Sequence, residues 1–218
     1  VYTRENLNAA LAAGSRQEGL AIVPQQDVSG HGTAVAALAA GSQSGVAVQA
    51  QLVIVKLGNP LAESFPRTTQ LMRGISYAVN LGVELNMPVV INLSFGNTYG
   101  DHRGESLLER FIDNASEIGR TSIIIGSGNE GASNGHTAGI ALTQKTIELA
   151  VAAYETGLSI QIWKHSNDDF ELRLRSPGGE EVQLETRRVD TLRRTLEQTQ
   201  LLCYIGEPLP YSVNQEIY

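Results

Sequence analysis

The feature that most constrains the fold of this chain is a change of hydrophobic periodicity near residue 144. Before that point, short, mainly apolar runs at 52–55, 89–93 and 123–125 alternate with segments of helical spacing. The segment Thr68–Leu85 shows this spacing clearly, through Leu71, Met72, Ile75, Ala78, Val79 and Gly82. Apolar strands that alternate with helices predict an α/β fold, a parallel sheet with helices on both faces. The longer run QLVIVKLG, residues 51–58, is accordingly predicted to be a buried strand.

From residue 145 onward, apolar and polar residues alternate with a period of two. Phe170, Leu172 and Leu174 alternate with charged neighbours, and a Pro-Gly-Gly turn follows at 177–179. This pattern predicts antiparallel strands of a sandwich or jelly-roll-like domain. We therefore predict two domains, at residues 1–144 and 145–218.

Composition and charge exclude several classes of partner. A net charge of −7 argues against nucleic acid, which requires a basic surface. The sequence has no apolar run of the roughly 18 residues that a membrane span needs. We predict no cofactor. We also predict no metal site, since Val35 lies four residues after His31, where the second ligand of a helical metal pair would lie. A start at Val1 and an end inside a strand-like run at Tyr218 lead us to expect an internal piece of a longer protein.

Three glycine-rich stretches hold the candidate functional residues. His31 lies between two glycines at the start of an alanine-rich helix and is either structural or a base on a rigid element. Asn129, in the turn GSGNEG, is either a simple turn residue or a donor aimed at an oxyanion. The LSFG stretch at 93–96 is either a strand end or an edge to which a peptide can pair. The residues alone leave these alternatives open.

The order of GHGTAVAALAAG, GVAVQAQLVIVKL, INLSFGN and IIIGSGNEG resembles that of the subtilisin-like serine proteases, the subtilases. The resemblance covers roughly residues 19–140 and implies a three-layer subtilisin-like parallel sheet, here incomplete. It implies that His31 is the general base and Asn129 the oxyanion donor. It also implies a substrate-binding strand and the facing pocket wall, formed by Ser94, Phe95 and Gly96 and by Gly126, Ser127 and Gly128.

Stretches such as VYTRENLNAAL and LNMPVVINLSFGNTYGDHRGESLLE are similar to the clostridial subtilases of the Csp germination-protease type. In that group a jelly-roll domain is inserted between the oxyanion asparagine and the nucleophilic serine. The resemblance implies a Gram-positive anaerobe, and an extracellular or spore-associated protein.

Two triad motifs of the family are missing from this sequence. Asp27 is the one aspartate in residues 1–30, and it does not belong to an Asp-x-Gly motif. No Gly-Thr-Ser motif occurs after the insert. We therefore expect this chain to be part of a serine endopeptidase that acts on peptides or proteins. It contains only His31 of the catalytic triad, so we expect it to be inactive alone. Asp27 is expected to shape the loop before His31.

Two other functions compete with this reading. A subtilase-fold pseudoprotease that binds or regulates without cleaving is the alternative within the fold. A nucleotide-binding module is disfavoured, because GSGNEG has neither G-x-G-x-x-G spacing nor a P-loop lysine. For the isolated piece we also expect exposed sheet edges through which copies could self-associate.

Overall fold

The computed structural model describes residues 1–58, 67–94, 96–140, 144–210 and 212–218. The chain divides into two compact units, Val1–Pro66 and Arg67–Tyr218. The predicted domain boundary between residues 144 and 145 falls inside the second unit and stays a prediction. Among the described residues, no helix is both long enough and apolar enough to span a bilayer.

The first unit contains three helices, α1 (Arg4–Leu11), α2 (Arg16–Ile22) and α3 (His31–Ala40). The predicted cap at Thr3 is confirmed: its side chain accepts the Asn6 N–H, and the Asn6 side chain accepts the Thr3 N–H. Helices α1 and α2 approach closely at Gly19, where a Cβ would lie 2.7 Å from the Ala10 carbonyl oxygen.

The buried strand predicted for residues 51–58 is wrong. This segment forms no strand, and the side chains of Leu52 and Ile54 are 54% and 70% exposed. The physical reason is pairing: no strand of the described part of this unit supplies a ladder partner, so apolar composition alone does not bury the segment. Lys56 instead ties it to the chain before α3, because its Nζ donates to the Gln26 carbonyl oxygen at 2.5 Å.

The second unit begins with an α/β portion that confirms the predicted alternation of helices and strands. Its elements are α4 (Thr68–Glu84), β1 (Val89–Leu93), α5 (Leu107–Ser116) and β2 (Thr121–Ile125). Strands β1 and β2 pair in parallel, and α4 and α5 pack against them. The predicted apolar face of α4 is the buried one, with Leu71, Ile75, Ala78, Val79 and Gly82 all buried.

The opposite face of the β1–β2 pair carries exposed apolar side chains. Val90 and Ile124 on this face are 71% and 54% exposed. A helical layer on this face, which a three-layer sheet requires, therefore stays a prediction, as does self-association through exposed edges.

Six antiparallel strands follow, as the period-two pattern predicts. They are β3 (Ile162–His165), β4 (Glu171–Arg175), β5 (Glu181–Glu185), β6 (Asp190–Leu196), β7 (Thr199–Ile205) and β8 (Asn214–Ile217). One sheet has the order β3-β8-β7-β6, and β4 and β5 form a separate hairpin. The core contains the buried residues Leu184, Cys203, Ile205 and Ile217, against which Leu172 and Leu174 pack. The period-two prediction is wrong at its start, because residues 144–161 form no strand.

Side-chain hydrogen bonds connect the loop after β1 to the region around β3 and β8. The Asn214 Nδ2 donates to Asp101 Oδ2 at 2.6 Å, and the Ser212 hydroxyl donates to Glu105 Oε2 at 2.7 Å. The Gly100 N–H donates to Gln161 Oε1 at 3.1 Å. The antiparallel strands are thereby attached to the loop that leaves the first parallel strand.

Candidate active site

His31 is the first residue of α3, as its position before an alanine-rich run predicts, and its side chain is exposed. The preceding residue, Gly30, adopts a left-handed conformation with φ of 76°, which favours glycine, and it has no side chain with which to cap the helix. An exposed imidazole on the first turn of a helix is accessible to a reacting group. This placement argues against the alternative of a buried structural histidine.

The carboxylate of Asp27 accepts the hydrogen bonds that Gly30, which has no side chain, cannot accept at the start of α3. Its Oδ1 accepts the Gly30 N–H at 2.9 Å and the Ser29 N–H at 3.1 Å, and its Oδ2 accepts the Thr33 N–H at 2.8 Å and the Thr33 hydroxyl at 2.7 Å. The Thr33 hydroxyl, and then the backbone N–H groups of Thr33 and Gly30, hold the pKa of Asp27 well below its usual range. The prediction that Asp27 shapes the loop before His31 is confirmed.

The two glycine-rich stretches of the second unit leave the parallel strands side by side. Leu93 pairs with Ile125 at the carboxyl ends of β1 and β2, and the Gly126 N–H donates to the Leu93 carbonyl at 3.3 Å. Ser94 follows β1, and its Oγ accepts the side-chain amide of Asn92 at 2.7 Å. The structure thus brings the predicted substrate strand next to the predicted pocket wall. Phe95, predicted to belong to the same strand, lies outside the described residues.

Open space borders the backbone at these strand ends. A Cβ added at Gly96, Gly126 or Gly128 would meet no atom within 4 Å, and Gly128 has a φ of 94° that favours glycine. Ser127 and Asn129 are exposed beside them. Backbone donors and acceptors that face open space can pair with an extended peptide, and an exposed amide can donate to a developing negative charge.

His31 belongs to the first unit and Asn129 to the second. Their predicted placement on two sides of one cleft therefore stays a prediction. Among the described residues, no three His, Cys, Asp or Glu side chains converge in a way that could hold a metal ion.

A contact between His102 and His136 was not predicted from the sequence. Their ring centroids lie 4.9 Å apart with an interplanar angle of 35°, and the His102 Nε2 lies 3.0 Å from the Thr98 carbonyl oxygen. His102 is in the loop after β1, and His136 is in the segment after β2. Only the pairing of these two strands brings the histidines together, so no local spacing could have revealed the contact.

Parallel strands with packed helices, and an exposed histidine at the start of a helix, are features expected of a subtilisin-like α/β protein. The family model for the subtilase family matches residues 14–203. The chain belongs to the subtilase family.

Two known proteins are similar over parts of their length. A subtilisin-like protease of Coccidioides posadasii is 33% identical over 114 residues, which cover 51% of this chain and 27% of the fungal protein. The solved structure of the Clostridium perfringens CspB protease matches 99% of this chain at 28% identity, with a TM-score of 0.84. The chain spans 47% of the clostridial protein. It therefore matches about half or less of the length of each relative.

Proposed function

We propose that this chain contributes the general base and an oxyanion donor to a serine endopeptidase of the subtilase type. The observation that carries the proposal is the exposed His31 on the first turn of α3, inside the residues that match the family model. The names of both similar proteins include the word protease, which supports peptide hydrolysis as the reaction.

In the proposed reaction, His31 takes the proton of a serine hydroxyl as that oxygen attacks the carbonyl carbon of a peptide bond. The carbonyl oxygen becomes an oxyanion, to which the Asn129 side-chain amide donates a hydrogen bond. His31 then returns the proton to the leaving amine, and water hydrolyses the acyl-enzyme in a second round. The serine, and the aspartate that orients His31, are contributed by residues outside this sequence.

The proposed substrate is an extended peptide that pairs with the chain after β1. Ser94 and Gly96 present backbone groups there, and Gly126, Ser127 and Gly128 line the facing side. The open space at Gly96, Gly126 and Gly128 supports this assignment. In the proposed binding mode, a side chain at any of these three glycines would lie in the path of the bound peptide.

We also propose that strands β3–β8 belong to a jelly-roll-like domain inserted into the catalytic domain, and that the protein acts outside the cytoplasm or in the spore. The antiparallel pairing of these strands supports the first assignment. The second rests on the resemblance of the sequence to the Csp-type subtilases. Fractionation of the source organism, followed by detection with an antibody against this chain, tests the location.

The function is tested on the protein as it is naturally expressed. We expect hydrolysis of casein and of a chromogenic peptide, together with covalent labelling by a serine-directed phosphonate. His31→Ala is expected to abolish turnover, whereas His165→Ala, a matched change of an exposed histidine on β3, should leave it unchanged.

Asn129→Ala is expected to lower kcat by about 10²–10³-fold with little change in KM, because the donated bond strengthens as charge develops. Peptide binding without hydrolysis or labelling would contradict the endopeptidase and favour the pseudoprotease. Full turnover in His31→Ala would refute the role of His31.

A further inference from the structure

The hydrogen bonds of Asp27 reach both sides of His31 along the chain. Its Oδ1 is bound by Ser29 and Gly30, which precede the histidine, and its Oδ2 is bound twice by Thr33, which follows it. One carboxylate therefore joins the loop that enters α3 to the first turn of the helix. His31 lies between the two attachment points.

The backbone of His31 is itself part of this network. Its N–H donates to the Ser29 hydroxyl oxygen at 3.3 Å, and that hydroxyl is 3.2 Å from Asp27 Oδ1, to which it donates. The position of the His31 main chain thus depends on Asp27 through one intervening hydroxyl.

The network also satisfies donors that α3 cannot satisfy alone. Gly30 occupies the cap position without a side chain, and the first N–H groups of a helix have no partner within the helix. A carboxylate near these groups is favoured by the positive end of the helix dipole. Because these bonds also hold the pKa of Asp27 well below its usual range, the Asp27 carboxylate is ionised at neutral pH.

We propose that Asp27 is a positioning residue for His31: through Ser29, Gly30 and Thr33 it fixes the loop and helix start that carry the imidazole. The inference rests on the proposed function, since a base must be held in one geometry for proton transfer. A displacement of about 1 Å in a reacting group costs roughly 10²-fold in rate. Loss of the network should therefore reduce the rate of the chemical step without weakening substrate binding.

The test compares four variants of the naturally expressed protein, with kcat and KM measured on a fluorogenic peptide. We expect Asp27→Asn to lower kcat by about 10–100-fold, with KM changed less than about twofold. Thr33→Val removes one bond to Asp27 and should lower kcat in the same direction, whereas Thr33→Ser retains the hydroxyl and should restore it.

The matched control is Glu18→Gln. Glu18 also binds a backbone N–H of the first unit, that of Gly14 at 3.1 Å, but it belongs to α2. We expect this variant to keep the wild-type kcat. An equal loss of kcat in Glu18→Gln, a wild-type kcat in Asp27→Asn, or a rise in KM as the main effect would each overturn the proposal. If Asp27→Asn does not fold, as judged by circular dichroism, the pair Thr33→Val and Thr33→Ser decides.

A second measurement separates this proposal from the proposed function. In protein with isotope-labelled histidine, the His31 ring should give one sharp set of NMR signals, which broaden or multiply in Asp27→Asn but not in Glu18→Gln. If the wild-type protein hydrolyses no peptide, the proposed function fails, and this comparison alone decides whether Asp27 positions His31. Unchanged His31 signals in Asp27→Asn would overturn the positioning role.

Discussion

The contact between α4 and β1 predicts the outcome of a one-carbon change at Gly82. A Cβ added there would lie 2.1 Å from Val89 Cγ2 and 3.2 Å from the Met87 carbonyl oxygen. Carbon atoms in contact are normally about 3.5–4.0 Å apart, so helix and strand must separate by more than an ångström or Val89 must turn away. Gly82→Ala therefore tests whether this helix and strand are as closely packed as the structure shows.

The expected magnitude is the difference of two effects. Overpacking of this kind costs about 1–3 kcal/mol, and replacing glycine by alanine inside a helix contributes about 1 kcal/mol of stability. We therefore expect Gly82→Ala to lower the free energy of unfolding by up to about 2 kcal/mol. At about 2–4 °C per kcal/mol for a chain of this size, the melting temperature should fall by a few degrees.

A double-mutant cycle isolates the contact. Val89→Ala removes the Cγ2 atom, so in that background Gly82→Ala should be neutral or stabilising, because only the gain in helix propensity remains. Urea unfolding followed by circular dichroism reports the helices, whereas the fluorescence of Trp163, the single tryptophan, reports β3. The same loss from Gly82→Ala in both backgrounds, or a gain in the wild-type background, would refute the close-packing argument.

Three further outcomes follow from the antiparallel strands. Burial raises the pKa of Glu216 above its ordinary value of 4.5, so the folded chain holds a proton that the unfolded chain releases, and stability should decline as pH rises from about 4.5 toward the raised pKa. Glu216→Gln should remove this decline in urea midpoints measured from pH 4.5 to 7; an unchanged slope would contradict the assignment. Cys203 is 4% exposed and burial raises the pKa of its thiol, so a thiol reagent should label it only on unfolding, and rapid labelling of the native chain would count against a buried Cys203. Asn214→Ala removes the bond to Asp101 and should lower the stability reported by Trp163 by about 1–3 kcal/mol, whereas an unaltered midpoint would show that this bond does not hold the strands to the loop.

Hydrophobic period predicts an element well when its packing partners lie nearby in the chain. The face of α4 that the sequence marks as apolar is buried, and β1 and β2, joined through α5, pair in parallel as expected. The run at 51–58 is equally apolar, yet it lies exposed, because a strand needs a ladder partner and none is present in the described part of its unit. Apolar composition makes a segment suitable for burial, but the segment forms a buried strand only if another strand is available to pair with it.

The candidate site shows the same division between local and distant information. The glycines around His31 and Asn129 could be interpreted locally, since a left-handed φ at Gly30 and Gly128 is a property of one residue. The role of Asp27 required a loop that folds back to Thr33, six residues later in the chain, and no periodic pattern describes such a loop. The sequence thus predicts that Asp27 shapes the loop before His31, but not that its carboxylate also accepts bonds from the first turn of α3. The substitution of Asp27 is therefore the most direct way to separate what the loop does for the fold from what it does for the imidazole, because the first would change stability and the second would change kcat at constant KM.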